Sequence, residues 1–290
     1  MQARVEIETN DDVNKLLSVD VLGRGQAFSC PTAIAEGAVI GSSGRTTAMI
    51  ATLPLKTVQL DGSHSRSGNG GAITYQWALT SQPLDSNARL VQANTSSPKL
   101  FLDLAGDYEV ELTVFDDLGR PGCERSYVHI KAIPDEDIHM QLVWDTPADP
   151  DQTDGTGTDL DLHYLHPLGR WDAAPYDIFW QNKTADWGIP AYAGDDPSLD
   201  IDDTNGAGPE NINHDDPESG KTYAVGVYYY QDAGLGASYA TLKIYIEGAL
   251  KFEIRDKYMP QEDTFWDVAA IAWPSKQVFA KDRIYQGFPR

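Results

Sequence analysis

The chain has 290 residues, of which 41% are hydrophobic and 10% aromatic, so wholesale disorder is excluded and two domains of ~100–150 residues each are expected. It carries 44 acidic and 22 basic residues, a formal net charge of −22, and such a field disfavours nucleic acid and anionic lipid surfaces while favouring cations. No apolar run approaches the ~20 residues of a membrane span, and the N-terminus lacks the cationic and apolar regions of a secretion signal. The chain is therefore expected to be either intracellular or a piece of a longer exported protein.

The periodicity is two almost throughout, and no segment sustains a 3.6-residue apolar repeat, which predicts an all-β protein with very little helix. Val5, Ile7 and Thr9 alternate with charges, as do Leu17, Val19 and Val21, and the turn-rich stretch from Asn10 to Asn14 joins them into a hairpin over residues 1–28. A lone hairpin is marginal in water, so it is expected to pack on a neighbouring domain. The stretch RVEIETNDDVNKLLSVDVLGRGQ resembles the closing strands of immunoglobulin-like repeats in large bacterial surface proteins.

Residues 29–134 form the next unit. Val58-Gln59-Leu60 runs into the turn signal Asp61-Gly62-Ser63, Ile73, Tyr75, Trp77 and Leu79 share one face, and Tyr108–Val114 alternates cleanly before Asp116-Asp117-Leu118-Gly119. Short strands at regular spacing with Gly/Asp turns predict a β-sandwich. Cys30 and Cys123 lie near the ends of this unit. A disulfide between them is favoured over two unrelated buried thiols; it closes a loop of roughly 90 residues, worth about 4 kcal/mol in the chain-entropy model, and implies an oxidising compartment. The pieces LDGSHS, AITYQWAL, LAGDYEVELTVFDDLG and SYVHI resemble the PKD domain and its bacterial relatives, with TSQPLDSN in place of the family's usual turn after Trp77. That resemblance implies an Ig-like spacer or ligand-presenting module without catalysis.

After a short linker around Pro134, residues 135–276 form a second antiparallel sandwich, and residues 277–290 are expected as a C-terminal tail. Tyr223–Tyr230 and Ala240–Ile246 read as strands, and Trp266–Trp273, apolar on both faces, as a central strand. Between Asp135 and Gly220 there are 21 Asp/Glu against Arg170 and Lys183. Two strand-like runs, Leu160–Leu165 and Leu199–Asp202, are bracketed by aspartates. Alternation turns Leu160, Leu162 and Tyr164 inward and leaves Asp159, Asp161 and His163 on the other face; if the two runs are neighbours, Asp161 and Asp202 meet across them. Asp203, Asn205 and Glu210 follow in a turn that Gly206 and Gly208 allow to wrap an ion. Carboxylates so crowded need a cation or a proton between them, and Ca²⁺ takes about six to eight oxygen ligands, so Asp159, Asp161, Asp202, Asp203, Asn205 and Glu210 are the expected Ca²⁺ site. Asp149, Asp151 and Asp154 of the preceding loop offer further ligands. A merely solvated acidic surface is the alternative. The runs LVWDTP, DLDLHYLHPLG, LDIDDTNGAGPENI and YAVGVYYY resemble the YfaP-like bacterial domain, which implies extracellular placement.

Trp171, Tyr176, Trp180, Trp187 and Tyr192 crowd a Gly/Pro/Asp-rich stretch. Trp171, Trp180, Trp187 and Tyr192 are candidate stacking surfaces for sugar, against the alternative that these rings cap the core. The six histidines show no motif spacing; His163 and His166 lie three apart in a strand-to-turn region and could bind a transition metal, but a turn histidine that only hydrogen-bonds is the simpler reading. No hydrolase elbow, zinc-protease helix or phosphate loop is present, and an acid/base carboxylate couple is the remaining enzymatic alternative. The reading is a non-catalytic extracellular Ca²⁺-binding adhesion or ligand-binding module whose partner is a surface glycan, a protein, or copies of itself. Its alternatives are a filament or surface-layer subunit assembled by β-strand addition and a carbohydrate-binding accessory module of a hydrolase.

Overall fold

A computed structural model describes residues 2–8, 16–22, 29–44, 46–204 and 206–290. The described residues contain strands, turns and bends but no helix. In chain order the strands are β1 (Gln2–Glu8), β2 (Leu16–Leu22), β3 (Glu36–Val39), β4 (Met49–Thr52), β5 (Thr57–Asp61), β6 (Thr74–Ser81), β7 (Leu90–Val91), β8 (Lys99–Phe101), β9 (Gly106–Phe115) and β10 (Ser126–Ala132). They continue with β11 (Ile138–Asp145), β12 (Asp159–Leu165), β13 (Asp177–Ile178), β14 (Ser198–Ile201), β15 (Glu210–His214), β16 (Thr222–Gln231), β17 (Ser238–Ile246), β18 (Ala249–Met259), β19 (Thr264–Ala272) and β20 (Gln277–Gln286).

β1 and β2 pair antiparallel, Val5 opposite Val19 and Ile7 opposite Leu17; the turn expected between them lies outside the described residues. The first sandwich stacks sheet β3-β5-β8-β7 on sheet β4-β10-β9-β6. The alternation in β9 buries Tyr108, Val110, Leu112 and Val114, which meet Val58, Leu60 and Trp77 in one core. Tyr108 curls back on its own entry: its hydroxyl accepts from Leu104 N at 3.0 Å and lies 2.9 Å from Asp103 Oδ1. Cys30 and Cys123 are disulfide-bonded, tying the start of this sandwich to the segment just before β10.

Β11 follows β10 after only a short linker, and enters the second sandwich as the middle strand of sheet β14-β15-β11-β17-β18. The facing sheet runs β13-β12-β16-β19-β20. Met140, Leu142, Leu160, Leu162, Tyr229, Leu242 and Trp266 fill the space between them. An Arg255–Asp85 ion pair at 2.7 Å links the two sandwiches.

Residues 277–286 depart from the expected tail. They form β20, paired along β19 with Phe265 opposite Tyr285 and Ala272 opposite Gln277. Most of its side chains are exposed, so backbone pairing rather than burial defines the strand. The relation expected between Leu160–Leu165 and Leu199–Asp202 also differs: β12 and β14 lie in opposite sheets, because β15 and β16 are the strands that flank them.

Candidate metal centre

The site lies where the two sheets meet along one flank of the second sandwich. β13 covers only Tyr164 and Leu165 of β12, leaving the earlier part of β12 as an edge. Hydroxyls fix the entry to that edge. Thr158 Oγ1 accepts from Trp144 Nε1 at 3.0 Å and lies 2.7 Å from Thr146 Oγ1, which in turn lies 2.8 Å from Ser238 Oγ. Asp159 and Asp161 follow directly. From the opposite sheet, β15 begins at Glu210, whose Oε2 accepts from Leu162 N at 2.6 Å.

One carboxylate oxygen from each of Asp159, Asp161 and Glu210 lies within 4.8 Å of the other two. These residues are 6%, 2% and 1% exposed, although Asp159 and Asp161 point away from the core that Leu160 and Leu162 fill. Asp202, just past β14, joins them: its Oδ2 is bound by Lys183 Nζ at 2.7 Å, and its charge acts on all three. Asp159 Oδ1, Asp161 Oδ2, Asp202 Oδ1 and Glu210 Oε1 are buried and accept no hydrogen bond from the protein.

Burial above all, and then neighbouring carboxylates, pushes Asp159 up to about 7 and Asp161 up to about 8. Glu210 is raised well above its ordinary value for the same two reasons, burial first and Asp161 next. Asp159, Asp161 and Glu210 thus share a region that strongly disfavours their charged forms.

Asp203 holds the turn that follows. Its Oδ2 accepts from Gly208 N at 2.9 Å, and its charge reaches Asp159. Gly208 has φ +83° and packs so close to the sheet that a Cβ would sit 2.9 Å from Leu142 O, which suits no other residue. Asn205 lies outside the described residues. Asp149, Asp151 and Asp154 are drawn into local turns, accepting from the backbone N–H of Asp151, Thr153 and Thr156. Lys183 is the partner that sequence reasoning missed; Leu199 N donating to Lys183 O brings it beside Asp202.

The histidines are absorbed by hydrogen bonds. His163 Nδ1 meets Asp177 Oδ2 at 2.8 Å with its ring stacked on Phe179, and His166 Nε2 meets Glu218 Oε2 at 2.7 Å. The aromatic candidates separate. Trp187 is buried, stacked on Tyr223 and beside Tyr164, because its indole N–H reaches Pro175 O from inside the core. Trp171 packs on Phe265 with ring centroids 4.8 Å apart, and a Cβ at Gly226 would overlap that same Phe265 ring. Trp180 and Tyr192 are exposed.

The fold and this site define a tandem β-sandwich protein whose first sandwich is PKD-like. Within it, residues 47–129 match the family model described as K319L-like, PKD domain. No curated protein matches the chain. Among solved structures, a nucleoside hydrolase-related hypothetical protein from Saccharophagus degradans, associated with carbohydrate metabolism, is 18% identical over 35% of this chain, with a TM-score of 0.27. The chain spans 26% of that protein's length. The PKD domain of the KIAA 1837 protein is 28% identical over 37% of this chain and 91% of its own, with a TM-score of 0.26. FdeC, an Escherichia coli adhesin, is 10% identical over 89% of this chain and 74% of its own, with a TM-score of 0.21. Among the described residues no helix is long and apolar enough to cross a membrane.

Proposed function

We propose that this chain is a non-catalytic, adhesion-type module of an extracellular or cell-surface protein, stiffened by Ca²⁺ bound in the second sandwich. One observation carries the reading: three buried carboxylates, on Asp159, Asp161 and Glu210, converge from both sheets, and each of them, like Asp202 beside them, keeps a buried oxygen that accepts no hydrogen bond. Buried acceptors left unpaired are costly, and like charges at this range repel. A hard divalent cation relieves both. The donor set is all oxygen, with neither Cys nor His among its four residues, which favours Ca²⁺ over Zn²⁺. So many carboxylates around one ion also favour Ca²⁺ over Mg²⁺, which keeps most of its water. Bound there, the ion supplies charge neutralisation and a link between the sheets. The motifs that resemble the YfaP-like domain are the same segments that supply these residues.

Burial argues against the enzymatic alternative, because an acid/base couple needs a cleft that admits substrate between its carboxylates. The Cys30–Cys123 disulfide and the PKD-like match support an oxidising, extracellular setting. Titration calorimetry of chelator-stripped protein with CaCl₂ tests the reading, with Asp161→Asn as the control. Absence of saturable heat in the native protein, or an unchanged isotherm in the variant, would remove its basis.

A second reading rests on a different feature. β18 and β20 are the free edges of their sheets on the flank opposite the site, 11 and 10 residues long, and largely exposed. Such edges accept an added strand, which fits a filament or surface-layer subunit. Sedimentation velocity over a wide concentration range decides it: a single monomeric species rules it out.

A further inference from the structure

Beside the carboxylate cluster, the ladder between β12 and β16 contains an irregularity. Leu160 is opposite Tyr229 and Asp159 is opposite Gln231, so Tyr230 is the extra residue of a bulge. Bulges re-aim side chains and are common next to functional sites. Here Tyr230 is 48% exposed, and Trp180, 37% exposed, packs against it with ring centroids 5.8 Å apart and planes at 56°. Trp180 sits in the turn closed by the Phe179–Asn182 bridge, and Phe179 is anchored by stacking on buried His163. Two large rings are therefore held in water on a rigid base, one strand away from Asp159.

The residue after each ring is an exposed glutamine, Gln181 and Gln231. Aromatic faces flanked by neutral carboxamides suit a ligand with apolar C–H faces and many uncharged hydroxyls. The net charge of −22 works against anionic polymers. We infer that Trp180 and Tyr230 form a stacking subsite for a neutral saccharide, with Gln181 and Gln231 as its hydrogen-bonding rim. This rests on the binding-module reading above and names the ligand class that reading leaves open. Trp187 and Trp171 contribute to packing instead, so the subsite is smaller than the run of aromatics in the sequence implies.

Affinity electrophoresis through gels containing a neutral β-glucan, mannan, galactan or xylan tests the inference on the full chain loaded with Ca²⁺. Retardation in at least one gel is expected. Trp180→Ala and Tyr230→Ala should each weaken it about tenfold, the scale of a lost aromatic stack, while Tyr192→Ala, at an exposed ring elsewhere, should not. Both variants should keep the native melting temperature and Ca²⁺ isotherm. Retardation in none of the gels, or variants that migrate like the native chain, overturns the inference. So does tryptophan-fluorescence quenching by a trimethyl-lysine peptide alone, which assigns the rings to organic cations. A chain that takes up Ca²⁺ but is retarded by no gel fails here and leaves the cation reading intact. A chain retarded through Trp180 that takes up no Ca²⁺ does the reverse.

Discussion

Leu162 and Glu210 belong to opposite sheets, yet Glu210 Oε2 occupies the position that a neighbouring strand's carbonyl would take opposite Leu162 N, at 2.6 Å. β13 is too short to cover that N–H. A buried donor without an acceptor costs about 1–3 kcal/mol, so the Glu210 carboxylate completes the edge with Oε2, while it also stands beside Asp159 and Asp161 with Oε1 buried and unpartnered.

That division of labour separates two variants. Glu210→Gln retains an oxygen for Leu162 N but removes the negative charge; it should lose most Ca²⁺ affinity with little loss of fold. Glu210→Ala should lose the affinity and also about 1–3 kcal/mol of stability in chelator, from the stranded N–H. Urea unfolding with and without Ca²⁺ reads both. Equal stability of the two variants in chelator contradicts this account.

Asp161→Asn should act with opposite signs in the two conditions. In chelator at pH 8 it removes a repelling buried charge and should raise the melting temperature, while the gain on adding Ca²⁺ should disappear. A variant that melts lower than the native chain in chelator shows that repulsion is not what the cluster stores.

Protons and Ca²⁺ should compete. Asp159 and Asp161 are held at about 7 and about 8, chiefly by burial, far above their unfolded values. The metal-free fold therefore binds more protons than the unfolded chain near neutrality. Its stability from these groups is present at acid pH, falls progressively as pH rises above the unfolded carboxylate value of about 4, and is fully lost once pH passes 7 to 8. Ca²⁺ affinity should rise over that same window, with protons released on binding. Calorimetry at pH 7 in buffers of different ionisation enthalpy measures the release, and buffer-independent heats contradict it.

The strands that were legible in sequence either alternate between water and core, as in β9, where Tyr108, Val110, Leu112 and Val114 alternate with polar residues, or are apolar on both faces, as in β19. β20 has no such record, since most of its side chains stay exposed and its pairing uses only backbone. In the site, the aspartates of Asp159-Leu160-Asp161 and the turn after Ile201 stood out. Glu210 was among the expected ligands, but its approach to Asp159 and Asp161 from the opposite sheet was not legible, because it depends on which sheet each strand joins. Nor does an aromatic-rich segment reveal which ring turns inward: Trp187 and Trp180 are seven residues apart in similar company, and only packing separates them.

Acid should loosen the second sandwich through other groups. Burial lowers both His139 and His214 to about 4. A histidine held below its unfolded value stabilises the fold above about 6.5, and that contribution is lost as pH falls from there toward 4, at most roughly 3 kcal/mol for each. Around His139 stand Asn213, Glu136, Asp200 and Tyr245, and around His214 Tyr164, Trp187, Tyr223 and Asp195. Denaturant midpoints at pH 7 and 4.5 should differ less in His139→Gln than in the native chain; identical differences contradict the assignment.

Trp187→Ala should cost about 3–5 kcal/mol, as a large ring removed from a packed core, whereas Trp180→Ala should stay near the small values typical of surface positions. Urea midpoints of the two variants check this, and similar losses would contradict the separation of core and surface rings.

Β11 joins the first sandwich by the short linker after β10 and is bonded on both sides, to β15 through Ile138–Leu142 and to β17 through Ile138–Asp145. Tension pulling the two domains apart therefore enters a central strand along its length. Both ladders are sheared together rather than unzipped one bond at a time, so the junction is built to hold under load.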